Sequence, residues 1–171
     1  MTLRISLASL CVLLLAGAVF RAEPEPWTSE RTVSDSALDE LSAGRFWHAA
    51  RVLRAEGAAE GTPADVLTLA QAEAGWENWP AVLDLLRNAR WLRHEGDGEG
   101  YGLLGRSLEH AGEWGAAAST YLVYLEFVSE GSLEAITTRV RLTRTAWWAG
   151  DQDVAMDAIA YLRGAPHARS W

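Results

Sequence analysis

The strongest structural signal in the chain is the segment YGLLGRSLEHAGEWGAAASTYLVY, residues 101–124. It contains two apolar patterns of helical period, separated by the break Ala111-Gly112. The first pattern consists of Tyr101, Leu104, Gly105 and Leu108, and the second of Trp114, Ala117, Tyr121 and Tyr124. The spacing therefore predicts two helices that are joined by a short turn.

The same break recurs along the chain. Ala-Gly pairs stand at 43–44, 74–75, 111–112 and 149–150, and the positions equivalent to Trp114 are Phe46, Trp79 and Gln152. These positions are 33, 35 and 38 residues apart, and the Gly-containing turn at 129–132 lengthens the last interval. A fixed period of this kind is typical of repeat architectures. The pattern predicts eight helices, at 33–43, 46–57, 63–75, 79–94, 98–111, 114–128, 132–149 and 151–163.

The repeated unit resembles the tetratricopeptide repeat family. That family stacks antiparallel helix pairs of about 34 residues, with small residues where the two helices cross. The resemblance implies an all-α fold, an α-solenoid of about four tetratricopeptide-like helix-turn-helix repeats, in which neighbouring units bury each other's apolar faces. Two positions depart from the family pattern. The leading helix of the first copy keeps little beyond Ala37, Leu38 and Leu41, and Gln152 replaces an aromatic residue.

The N-terminus has the composition of an export signal. Arg4 precedes an apolar segment at 5–20, which contains the small-residue pattern Ala16-Gly17-Ala18. We therefore expect a signal peptide at 1–18, an extended linker at 19–31 and a helical repeat domain at 32–171. The protein is expected in the periplasm or cell envelope, with secretion as a second destination. Membrane anchoring through residues 5–20, if that segment is not cleaved, is the open alternative, although a spanning helix needs about 20 residues.

The composition argues against several function classes. All 15 basic residues are Arg, and the 23 acidic residues give a net charge of −8, which is unlike a nucleic-acid-binding surface. The single cysteine, Cys11, excludes a disulfide framework and a multi-cysteine zinc site. The four histidines are scattered without metal-ligand spacing, so neither a metal nor a cofactor is expected.

Catalytic motifs are also missing from the sequence. The Gly-rich run at 96–100 is interpreted as a turn between repeats, because a phosphate-binding loop would need a Lys. Glu109 and Glu113, four residues apart, are interpreted as a solvated face rather than as an acid–base pair. We therefore expect a non-catalytic protein.

The resemblance implies a peptide-binding groove lined by the first helix of each pair. Carried over copy by copy, the candidate binding residues are Gln71, Arg106, His110, Arg144, Trp147 and Trp148, and Glu109 and Val140 share their face. Arg106 and Arg144 would bind a carboxylate in a planar two-point contact, and Trp148 would hold an apolar side chain. The alternative is that the two tryptophans belong to the core between repeats and that the arginines pair with local Glu residues.

These observations favour a non-catalytic protein–protein interaction scaffold in the cell envelope, which binds a peptide or partner protein in its groove. The alternative function is the non-catalytic helical superhelix of a peptidoglycan lytic transglycosylase-like envelope enzyme, which this exported array also resembles. Few residues follow Leu162, so a polar capping helix is not expected. Self-association through the C-terminal repeat is therefore a further expectation.

Overall fold

The computed structural model describes residues 33–164, which fold into eight α-helices and contain no strand. The predicted all-α class is confirmed. The helices are α1 (Asp35–Ser42), α2 (Phe46–Ala55), α3 (Pro63–Gly75), α4 (Trp79–Leu86), α5 (Glu99–His110), α6 (Trp114–Tyr124), α7 (Leu133–Ala149) and α8 (Gln152–Gly164). The predicted signal peptide, the linker and the C-terminal end of the predicted domain lie outside the described residues. None of the helices at 33–164 combines the length and the apolar character needed to cross a membrane.

Local sequence chemistry accounts for the helix ends. At the start of α3, the Thr62 hydroxyl accepts from the Asp65 backbone N–H, and the Asp65 carboxylate accepts from the Thr62 backbone N–H. Such reciprocal bonds satisfy amide groups that the first turn of a helix leaves without partners. The predicted break after α7 is also present, because Gly150 adopts a φ of 83°, a left-handed conformation that favours glycine.

Two predicted helices end earlier than expected. Helix α4 was predicted to reach residue 94 but ends at Leu86, and α6 was predicted to reach residue 128 but ends at Tyr124. After α4 the chain continues in turns that bury Leu92, which would lie only 2.5 Å from a Cβ placed on Gly100. Burial of this leucine against α5 therefore competes with continuation of α4.

Each helix packs against the next one along the chain, and α3 also contacts α5 directly. The larger core cluster contains buried residues from every helix between α3 and α8, and a smaller cluster contains residues from α1, α2 and α3. The crossing of α5 and α6 is close because Gly105 lies beneath the Tyr121 ring, where an added Cβ would stand 2.5 Å from Tyr121 Cε1. The small residue expected at this crossing is therefore needed for α5 and α6 to pack this closely.

The outer surface of α8 is mostly polar. Its exposed side chains include Gln152, Asp153, Asp157 and Arg163, and Met156 is the one exposed large hydrophobic residue of this helix. The other exposed large hydrophobic residues of this last helix pair lie on α7, namely Leu133, Val140, Trp147 and Trp148. Self-association through the C-terminal repeat stays a prediction.

Candidate functional site

A groove of about 370 Å³ opens between α5 and α7, with α6 as its floor. Its walls are formed by α5 and α7, the helices to which the resemblance assigns a binding groove. The lining side chains of α5 are Glu99, Leu103 and Arg106, those of α6 are Tyr121 and Tyr124, and those of α7 are Leu133, Glu134, Thr137, Thr138 and Arg141. Gly102 also lines the groove, and its missing side chain leaves room beside Tyr124.

One end of the groove is closed by a network around Glu109 of α5. The Glu109 carboxylate is 5% exposed and accepts hydrogen bonds from Tyr121 Oη at 2.9 Å, from Arg141 at 2.9 Å and from Arg144. Burial would raise the pKa of Glu109, but the hydrogen bonds from Arg144, Tyr121 and Arg141 outweigh it and hold this pKa below its usual range. Glu109 is therefore ionised and ties α5 to both α6 and α7.

Arg106 lies next to this network, on the wall of the groove. Its guanidinium stacks over the indole of Trp79, with Cζ 4.3 Å from the ring centroid. Its Nε atom is buried and has no hydrogen-bond partner among the described residues. Burial, together with the nearby charge of Arg141, lowers the pKa of Arg106, so this cation is held where solvent stabilises it poorly.

The opposite end of the groove is acidic. Glu99 and Glu134 lie on its two walls, and Tyr124 lines the groove with them. Burial raises the pKa of the Tyr124 hydroxyl, and the charges of both carboxylates raise it further. Glu99 accepts a hydrogen bond from Gln71 Nε2 at 2.7 Å, whereas Glu134 is exposed and has no ion-pair partner within residues 33–164.

Of the six predicted binding residues, Arg106 alone lines the groove. Gln71 touches its edge through the bond to Glu99. Arg144 pairs with Glu109, as the alternative interpretation of the arginines required. His110 is exposed and stacks on Trp79, with ring centroids 4.8 Å apart and planes inclined by 10°.

Trp147 and Trp148 lie beyond the groove and are exposed by 55% and 65%. Trp148 faces Trp114 at a centroid distance of 6.4 Å. Such exposure rules out the interpretation of this pair as core between the repeats. Val140, on the same helix, is also exposed and is absent from the groove lining.

The interpretation of Glu109 and Glu113 as a solvated face was wrong for Glu109. Glu113 precedes α6 and pairs with Arg87 at the surface, at 2.5 Å, whereas Glu109 points inward to Tyr121. The difference arises because the turn at Ala111-Gly112 ends α5 between the two residues, so helical spacing does not relate them.

Sequence reasoning missed the groove residues Arg141, Glu134 and Thr137. Arg141 precedes the predicted Arg144 by three residues on the same helix, and this spacing alone could have indicated a shared face. The sequence offered no sign that Glu134 faces Glu99, because that proximity depends on how α5 and α7 are placed.

Comparison of the chain with protein-family models, with curated proteins and with solved structures gave no match. In the described part of the chain, no three His, Cys, Asp or Glu side chains come close enough together to hold a metal ion.

Proposed function

We propose that this chain is an exported, tetratricopeptide-like α-solenoid that acts as a non-catalytic interaction scaffold in the cell envelope. In this proposal the groove between α5 and α7 binds a peptide segment of a partner protein. The observation that carries the proposal is Arg106, a half-buried guanidinium that lines an open groove and whose buried Nε has no acceptor within residues 33–164. A cation in such surroundings is unfavourable, and an anionic group bound to the part of the Arg106 side chain that lines the groove would offset that cost.

The shape of the groove also supports a peptide ligand. The walls combine apolar surface from Leu103, Leu133 and Tyr124 with polar groups such as Thr137. A concave, mostly apolar surface with a few polar groups is typical of ligand sites. Sequential packing of the eight helices is what stacked helix pairs produce, and this packing supports the solenoid part of the proposal.

A non-catalytic role agrees with the ionisation of the groove. A general acid at neutral pH needs a raised carboxyl pKa, and the pKa of Glu109 is lowered while three donors occupy its oxygens. Burial and the Glu109 charge raise the pKa of the Tyr121 hydroxyl, which disfavours the phenolate that a base would require. These two groups are suited to holding the helices together rather than to proton transfer.

A blocking variant tests the proposal directly. Thr137 is an exposed groove residue, so Thr137→Trp should fill the groove without disturbing the core. A displayed library of random peptides would be selected on the wild-type chain, and the enriched peptides would be synthesised and titrated by calorimetry. We expect peptides that bind the wild type and lose binding to Thr137→Trp, while the matched variant Ser119→Trp on the exposed side of α6 binds normally.

Two results would contradict the proposal. Absence of any enriched peptide would remove the peptide-binding function, and equal binding to wild type and Thr137→Trp would place the binding elsewhere. Peptidoglycan fragments titrated in parallel test the alternative function, and binding of these fragments alone would favour the envelope-enzyme superhelix.

A further inference from the structure

The groove has a charge polarity that repeats on both walls. On α5, Glu99 precedes Arg106 by seven residues, and on α7, Glu134 precedes Arg141 by seven residues. Seven residues of α-helix span about 10 Å. The charges of Glu99 and Glu134 both act on Tyr124, and the charge of Arg141 acts on Arg106, so like charges stand at the same end of the groove.

The cations at the basic end differ in their availability. Arg141 is engaged by Glu109 at 2.9 Å, so its charge is already compensated. Arg106 is held by Trp79 and has no ion pair within residues 33–164. An anion that enters the groove would therefore bind Arg106 rather than Arg141. At the acidic end, Glu134 is the carboxylate without a partner in the described part of the chain, and Glu99 adds a second negative charge.

We infer that the groove selects an extended peptide segment with a basic side chain and a carboxylate side chain three positions apart. In the extended polyproline II conformation three residues make one turn and span about 9 Å, so the two side chains lie on the same face at a separation close to that of the acidic and basic ends. The basic side chain would lie between Glu134 and Glu99, the carboxylate would bond Arg106, and the two residues between them would contact Leu103 and Leu133. This inference rests on the proposed peptide-binding function and specifies its ligand.

The test uses the full 171-residue chain, labelled with ¹⁵N, and four capped tetrapeptides. The peptides are Lys-Leu-Leu-Glu, Lys-Leu-Leu-Gln, Gln-Leu-Leu-Glu and Gln-Leu-Leu-Gln. The readout is the shift of the Gly102 and Thr137 backbone amide signals, both of which lie in the groove. We expect the doubly charged peptide to bind roughly tenfold more tightly than either singly charged peptide, as charge-assisted hydrogen bonds require.

Variants assign each charge to its partner. Arg106→Gln should weaken the binding of Lys-Leu-Leu-Glu roughly tenfold. The same variant should bind Lys-Leu-Leu-Gln as tightly as the wild type does, because that peptide has no carboxylate to pair with Arg106. Glu134→Gln should weaken Lys-Leu-Leu-Glu several-fold and leave Gln-Leu-Leu-Glu unchanged, and this exposed residue can be replaced without risk to folding. Arg90→Gln and Glu130→Gln, at exposed positions outside the groove, are the matched controls.

The outcomes separate this inference from the function on which it rests. If all four peptides shift Gly102 and Thr137 with equal affinity, the groove binds peptides without charge selection and the inference is wrong. If a variant weakens peptides that lack its charge partner as much as those that carry it, the assigned contacts are wrong. If no peptide shifts these signals and selection from the library also fails, the peptide-binding function itself is refuted.

Discussion

Replacement of Glu109 by Gln should destabilise the fold by about 2 kcal/mol. The substitution preserves the size of the side chain but removes the charge that accepts from Arg141 and Arg144. Arg141 is 28% exposed, so its bond falls in the range of about 1.5–3 kcal/mol for hydrogen bonds to charged groups. Arg144 is 57% exposed, so solvent screening reduces its share to well below 1 kcal/mol.

The loss is measured by urea unfolding followed by circular dichroism at 222 nm. Glu113→Gln is the matched control, since Glu113 also pairs with an arginine, Arg87, but both side chains are at least 40% exposed. We expect the control to lose less than about 1 kcal/mol. Equal losses in the two variants, or a loss below about 0.5 kcal/mol for Glu109→Gln, would refute the argument that Glu109 holds α5, α6 and α7 together.

The ionisation of Glu109 also predicts that the stability of the fold depends on pH. The pKa of Glu109 is lowered in the folded chain, so its stabilising effect is present above the unfolded carboxyl pKa of about 4.3 and is lost as the pH falls through the folded pKa. The difference in unfolding free energy between wild type and Glu109→Gln should therefore be constant near neutral pH and shrink at acid pH. A difference that persists undiminished at acid pH would contradict the assigned ionisation.

Two further substitutions test the packing and the helix ends, each by the same unfolding measurement. Gly105→Leu should destabilise the fold by about 1–3 kcal/mol or more, because Tyr121 is buried and a Cβ at Gly105 would already lie 2.5 Å from its ring. Gly115→Ala is its control, since its Cβ would meet only Ala149 at 3.9 Å, and a similar loss in both variants would show that the crossing is not close. Ser132→Ala should cost about 1 kcal/mol, because the Ser132 hydroxyl accepts from the Ala135 backbone N–H at the start of α7, and a neutral result would remove the role of this cap.

Local signals in the sequence were sufficient to predict the number of helices and the all-α class. Breaks such as Ala111-Gly112 act through the backbone of a few adjacent residues, so their effect can be predicted without knowing the fold. The early end of α4 could not be predicted this way. It depends on burial of Leu92 against Gly100, which is a contact between segments.

The candidate site could likewise be predicted only in part. The resemblance to the repeat family implied that the first helices of the pairs, such as α5 and α7, carry the binding side chains, and Arg106 was among the residues predicted on that ground. Only the tertiary structure decided that Arg144 pairs with Glu109, while the buried Nε of Arg106 has no acceptor in the described part of the chain. The physical reason is that a charge is available for binding only if no neighbouring helix supplies its partner, and neighbours are set by how the helices pack.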